Sequence, residues 1–286
     1  MKISVVIPTL NEEKYIKQCI NSIFDNSIKP FEIIICDGGS IDRTKIIAKM
    51  YRKIVVFDNI DKTAASGRNI GIEHAKGDII AFTDGDCFVD KNWIKNIQHC
   101  FSTRNIDGLR GRIIAAEPEN IFESFWNNLA WNILMNYDDT PRLIFNKTIR
   151  ECLTTANCAY KKEVLLKLNG FDPWFGNNAE DADLSWRALD EKFILYYDPS
   201  VIVSAHGVTT LKDIRQKSFR NGISSSKLQK RHGSFFNFDP LIHKLWWRNL
   251  ASCLKGVPSA SLNLTQVTWH LLGKYWGSFK AKVINL

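Results

Sequence analysis

The first hundred residues switch repeatedly between two hydrophobic periods. Ile3–Ile7 is a β-branched run of the kind seen in strands buried on both faces. Glu12 to Phe24 then carries a helical stripe of Tyr15, Ile16, Cys19, Ile20, Ile23 and Phe24. Glu32–Cys36 reads as a second buried strand. Asp42 to Tyr51 reads as a second helix, with Ser40 or Asp42 as its cap. Ile54–Phe57 and Ile79–Thr83 are further strands, with a helix from Thr63 to Ala75 between them. Asp90 caps a fourth helix bearing Trp93, Ile94, Ile97 and Phe101. This alternation predicts an α/β fold with a mostly parallel, doubly wound sheet.

After about residue 105 the pattern loosens. Leu109–Ala115 reads as a strand, and Phe122, Phe125, Trp126, Leu129 and Ile133 mark an aromatic helix. Short helices follow at Val164–Leu168, ended by Gly170, and at Leu184–Leu189. Ile194–Ala205 reads as one or two strands broken at Asp198-Pro199. Residues beyond 240 form a separate helical tail.

Composition adds limits. The 286 residues are 45% hydrophobic and 24% charged, ordinary for a globular chain and too apolar for disorder. No apolar run approaches the roughly 18 to 20 residues of a spanning helix, and the N-terminus enters a strand directly, without a signal-peptide pattern. The 7 cysteines form no C-x-x-C pair, which fits reduced thiols in a cytoplasmic protein. The net charge is +8, and the 6 Lys/Arg after Pro240 meet no Asp or Glu, which leaves residues 1–239 nearly balanced. The basic excess therefore points to a surface, not to nucleic acid or a substrate.

Polar residues gather where strands end. The first strand runs into Pro8-Thr9-Leu10-Asn11-Glu12, the second into Asp37-Gly38-Gly39-Ser40, and the fourth into Asp84-Gly85-Asp86. Open parallel sheets bind ligands at the carboxyl ends of their strands. The first loop has no glycine, which excludes both the dinucleotide fingerprint and the phosphate loop. A phosphate-bearing ligand then needs another counter-charge. Two carboxylates flanking a glycine suit a hard cation, Mn²⁺ or Mg²⁺, bridging to phosphate oxygens.

The segments ISVVIPTLNEEKY (3–15), CDGGSIDRT (36–44), GRNIGI (67–72), GDIIAFTDGD (77–86), TANCAYKKEVLLKLNGFD (155–172) and EDADLSWR (180–187) resemble, in order, the glycosyltransferases of family 2. The resemblance covers residues 1–225 and implies the glycosyltransferase-A type of fold. It divides the chain into a nucleotide-sugar-binding half (1–105), an acceptor-binding and catalytic half (106–235) and the basic tail (236–286). It implies that Pro8, Thr9, Asn11, Glu12, Asp37, Arg68, Asp84 and Gly85 bind the nucleotide. Asp37 would accept from a uracil or guanine N–H. Asp84 and Asp86, with His206 as third ligand, would hold the metal. Asp181 would be the catalytic base, with Glu180 and Asn157 near the donor or acceptor sugar. Arg215 and Arg220 would close over the diphosphate, with Gly222 as hinge. The Q-x-x-R-W motif of processive members is absent, so the expected reaction is inverting transfer of one sugar from a UDP- or GDP-sugar to a hydroxyl acceptor. A sugar-nucleotide pyrophosphorylase would need a glycine-rich first loop, and a non-catalytic nucleotide-sugar-binding protein would have no use for the base.

The tail carries its own expectation. Ile242, Leu245, Trp246, Leu250 and Cys253 share one helical face, and a second helix from Leu262 carries Leu264, Val267, Leu271 and Tyr275 beside Trp269, Leu272 and Trp276. Aromatic faces with basic flanks suggest helices lying at the cytoplasmic face of a membrane, where a lipid-linked acceptor would be presented. The alternative is packing on the catalytic domain or on a second subunit in a homodimer.

Overall fold

Strand β1 (Ile3–Thr9) shows why its sequence is apolar at consecutive positions. Ile3, Val5 and Ile7 face one buried cluster and Val6 faces another, on opposite sides of the sheet. The structure, a computed structural model, describes residues 1–128, 138–233 and 260–281.

The described residues form two units. The first comprises 1–116 and 138–206 and contains the whole sheet. Its elements follow as α1 (Ile16–Phe24), β2 (Glu32–Asp37), α2 (Thr44–Lys49), β3 (Ile54–Asp58), α3 (Ala64–His74), β4 (Ile79–Phe82), β5 (Cys87–Val89), α4 (Trp93–Thr103) and β6 (Gly108–Ala115). Helix α5 (Ile121–Asn127) belongs to the second unit. The first unit resumes with β7 (Arg142–Ile144), β8 (Cys158–Lys161), α6 (Lys162–Lys167), α7 (Glu180–Asp190) and β9 (Leu195–Ala205).

The strand order is β3-β2-β1-β4-β8-β6-β9-β5, with β7 also on β9. The first four are parallel neighbours, as the alternation predicts. Strand β8 joins β4 antiparallel, so one sheet runs through both expected halves of the catalytic region. The strands β5, β7 and β8 were not legible in the sequence. Each is only three or four residues long, too short to show a period. Helices α1 and α4 cover one face, and α3, α6 and α7 cover the other.

Strand β9 is continuous. The expected break at Asp198-Pro199 is absorbed as a bulge, where the pairing jumps from Gly111↔Asp198 to Arg112↔Ile202. The six described cysteines are free thiols, all buried.

The second unit holds α5, α8 (Leu211–His232) and α9 (Ala260–Ala281). The two long helices pack closely through small residues. A Cβ at Gly222 would lie 2.0 Å from the His270 carbonyl, and one at Gly273 would lie 1.9 Å from the Phe219 carbonyl. Gly222 is therefore a contact point inside an unbroken helix and not a hinge. Of Leu264, Val267, Leu271 and Tyr275, Val267 is buried and Tyr275 is exposed, while Lys274, Gly277 and Ser278 are also buried. Ser226 Oγ donates to the Lys274 carbonyl at 2.7 Å, so the seam is polar as well as small. The helix expected over 241–254 lies outside the described residues. Among those described, no helix is long and apolar enough to cross a membrane.

Candidate active site

Three strand ends meet on the carboxyl edge of the sheet in the first unit. The Gly38 N–H donates to the Thr9 carbonyl at 2.8 Å, fastening the loop after β2 to the end of β1. A Cβ on Gly85 would sit 3.0 Å from Glu12 Cγ and 3.3 Å from Thr9 Cγ2, so glycine lets the Asp84–Asp86 turn lie close to the first loop without crowding it. Thr9, Glu12, Asp37, Asp84, Gly85 and Asp86 thus form one cluster. Pro8 lies one step back, in register with Cys36.

Two members of that cluster are committed to holding it together. Asp37 is fully buried, and its carboxylate accepts from Gly39 N–H at 3.1 Å, Ser40 N–H at 3.0 Å, Ser40 Oγ at 2.5 Å and Thr9 Oγ1 at 3.4 Å. A carboxylate has about four lone-pair sites, and four donors already point at this one. Asp37 as placed shapes the turn after β2. Asn11 adopts a left-handed φ of 56°, donates its N–H to Ser40 Oγ and accepts the Ile41 N–H. It therefore ties the two loops together. Helix α1 starts at Ile16 without a side-chain cap, and the Glu12 carbonyl accepts the Tyr15 and Ile16 N–H groups.

The metal expectation can be tested against the donor set. Oxygen and sulfur atoms of Asp84, Asp86 and Cys87 lie within 4.8 Å of one another. The Cys87 thiol donates to Asp86 Oδ1 at 3.4 Å. Burial, then the charges of Asp86 and Asp84, pushes its pKa well above the usual thiol range, so it stays protonated and is a poor ligand. The two carboxylates are partly exposed and offer hard oxygens, which fits Mn²⁺ or Mg²⁺. His206 is not part of that three-residue group. Its backbone N–H donates to the Asp86 carbonyl at 3.2 Å, while its ring stacks on Tyr15 with centroids 4.2 Å apart.

Arg68 links this cluster to a second one. Its guanidinium is buried and donates to Asp84 Oδ1 at 2.8 Å and to Glu180 Oε1 at 2.6 Å. Burial alone would lower its pKa, but the Asp84 and Glu180 charges outweigh this and hold it raised. The resemblance implied that Arg68 contacts the nucleotide; in the structure it braces Asp84. The link to Glu180, 112 residues away, had no local signal.

Glu180 and Asp181 open α7, behind Ala179 in a left-handed conformation at φ 66°. Burial raises the Glu180 pKa to about 7, Arg68 opposes the rise and Asp181 adds to it. Burial also raises Asp181, which remains partly exposed, while Arg68 and the N–H groups of Ala182 and Thr155 oppose the shift. Asp183 is fully buried and pairs with Arg187 Nε at 2.8 Å. Arg187 also donates to the Leu168 and Gly170 carbonyls, fixing α7 to the end of α6.

Asn157 is 1% exposed and spent inside the fold. It donates to the Arg112 and Val201 carbonyls at 2.7 and 2.8 Å and accepts from Trp93 Nε1 at 2.8 Å. These bonds plug the β9 bulge, a position that the sequence reading gave to the donor or acceptor sugar. Trp174, 39% exposed, stands in the loop leading to α7. Arg215 and Arg220 are exposed on α8 of the second unit.

The carboxyl edge of the sheet thus ends in a pair of aspartates, one of which Arg68 joins to the acidic start of α7. The chain belongs to the family described as glycosyl transferase family 2, which matches residues 4–168. A curated relative is dolichyl N-acetyl-alpha-D-glucosaminyl phosphate 3-beta-D-2,3-diacetamido-2,3-dideoxy-beta-D-glucuronosyltransferase of Methanococcus voltae. It is 26% identical over 257 residues, covering 82% of this chain and 75% of the relative. Among solved structures, TarS 1-349 of Staphylococcus aureus in complex with UDP-GlcNAc superposes with a TM-score of 0.58 at 17% identity, over all of this chain and 93% of that one. The mannosyltransferase PcManGT of Pyrobaculum calidifontis, in complex with GDP-Man and Mn²⁺, gives 0.58 at 14% identity, over 98% of this chain and 75% of that one. At these identities the structures speak for the shared fold. The chain is a glycosyltransferase by family, with the mixed α/β sheet of the glycosyltransferase-A type.

Proposed function

We propose that the protein transfers a single sugar, with inversion, from a UDP- or GDP-sugar to a hydroxyl acceptor, and that the acceptor is lipid-linked. The observation that carries this reading is Arg68, whose two terminal nitrogens join Asp84 of the aspartate turn to Glu180 of the acidic helix. That link supports a single site in which one end holds the diphosphate and the other performs the proton transfer. The lipid-linked acceptor draws support from the Methanococcus relative, whose name specifies a dolichyl phosphate substrate. It would place the enzyme at the cytoplasmic face of a membrane.

Asp84 and Asp86 would hold Mn²⁺ or Mg²⁺, which when bound neutralises the departing diphosphate. Thr9 and Glu12 would wall the nucleotide. Asp181 takes the proton from the acceptor hydroxyl as that oxygen bonds to the anomeric carbon. The bond from the anomeric carbon to the phosphate oxygen breaks in the same step, and its electron pair leaves with the diphosphate. Glu180, pinned by Arg68, fixes the helix start, and burial keeps Asp181 basic enough for this task.

Donor hydrolysis with and without Mn²⁺ tests the reading. A UDP- or GDP-sugar should be turned over only with the metal, and chelation should stop it. Metal-dependent binding without turnover would instead support a non-catalytic sensor. Repeating the metal titration with His206→Ala settles the third ligand, since an unchanged requirement leaves the two aspartates alone.

The raised pair also sets a pH dependence. The base works deprotonated, so turnover should fall about tenfold per pH unit once the pH drops below the apparent pKa of the pair. A pH–rate profile at saturating donor checks this, and a flat profile between about pH 5 and 8 would remove the pair from the proton transfer.

A further inference from the structure

Helix α9 packs by its small side and leaves its aromatic side outside. Trp269, Leu272, Tyr275, Trp276 and Phe279 recur at helical spacing, and they are 36%, 49%, 49%, 48% and 79% exposed. A rotation of α9 cannot bury them against α8, because Gly273 and Gly277 meet the Phe219 and Ile223 backbone with no room for a Cβ. A continuous aromatic strip of this kind marks an interaction surface. Its electrostatic setting narrows the partner. Residues 207–286 carry 13 Lys/Arg against only Asp213 and Asp239. Lys212, Lys230, Arg231 and Lys280 are exposed on the two helices, and Lys280 Nζ lies 5.2 Å from the Trp276 ring centre. A second copy docked on the same face would bring two strongly basic surfaces together, which disfavours it. An anionic lipid headgroup layer supplies the opposite charge and an apolar boundary for the rings. Since no described helix can span a bilayer, the helix would lie in the interface plane.

We infer that the outward face of α9, Trp269 to Phe279, docks the protein on an anionic membrane surface. This is independent of the catalytic reading, because the face belongs to the second unit and its test reads binding and not turnover. The experiment is flotation of the full-length protein with phosphatidylcholine vesicles, with and without equimolar phosphatidylglycerol, at low and high salt. Binding is expected only with phosphatidylglycerol and should fall severalfold at high salt. The double substitution Trp276→Ser/Phe279→Ser should weaken it at least tenfold while the melting temperature stays near wild type. Should that variant fold poorly, Lys230→Glu/Arg231→Glu/Lys280→Glu gives a second reading and should abolish binding. The inference is overturned if wild-type protein ignores anionic vesicles at low salt. It is equally overturned if both variants, folded, bind like wild type, or if Trp276→Ser/Phe279→Ser merely converts a dimer to a monomer with vesicle binding absent throughout.

Discussion

Asp181→Asn should reduce sugar transfer by roughly 10²- to 10⁴-fold, the usual contribution of a general base. The substitution keeps the side chain's size and its contact with the Ala182 N–H on Oδ1. It removes the ability to take a proton. Nucleoside diphosphate affinity should change little, because Asp181 lies on α7 and outside the Thr9–Glu12–Gly85 cluster. Steady-state kinetics with a titrated donor would therefore show a fall in kcat at nearly constant donor KM. Near-wild-type turnover would move the base elsewhere.

Arg68→Met should be the most destabilising single change in the site. It leaves Glu180 buried with no counter-charge and frees Asp84 to drift from its position. Breaking a buried pair from one side costs about 3–5 kcal/mol, which lowers Tm by roughly 6–15 °C for a chain of this size. The loss depends on pH in a defined direction. Glu180 has a folded pKa raised to about 7, so its burial is tolerated when protonated and penalised as pH rises through that value. Without Arg68 the folded pKa climbs further, so the deficit is greatest above neutral pH and shrinks toward about pH 5. The double variant Arg68→Met/Glu180→Gln should recover part of the stability, because no uncompensated buried charge remains. Thermal melts of both variants at pH 5 and 8 check the sign, and equal losses at both would contradict it.

How much of this was legible in the sequence depended on range. The parallel strands β1, β2 and β4 were readable because burial on both faces writes a continuous apolar run, and α1 and α4 because one buried face writes a stripe. Local motifs also located Asp84, Asp86, Glu180 and Asp181. What the sequence could not show were partnerships across long separations. Asp37 resembled a base-binding group, and nothing in its motif showed that it also holds its own turn and meets Thr9, 28 residues away. Asn157 resembled a sugar contact, yet it closes a bulge 44 residues away, and nothing local to T-A-N-C-A-Y reveals that bulge. In the helical tail the aromatic positions were legible but the seam was not: glycine and serine allow the closest backbone approach and took the inward face, leaving the aromatics outside.

In the proposed mechanism labour is divided between two ends of one site: the aspartate turn would bind the metal and diphosphate, and α7 would move the proton. Isothermal titration of UDP and GDP into wild-type protein, Asp86→Ala and Asp181→Asn, each with Mn²⁺ and with chelator, tests that division directly. The expected result is binding of one nucleotide by wild type only with Mn²⁺, at least tenfold weakening in Asp86→Ala, and retention in Asp181→Asn. Binding indifferent to Mn²⁺, or lost in Asp181→Asn while kept in Asp86→Ala, would contradict it.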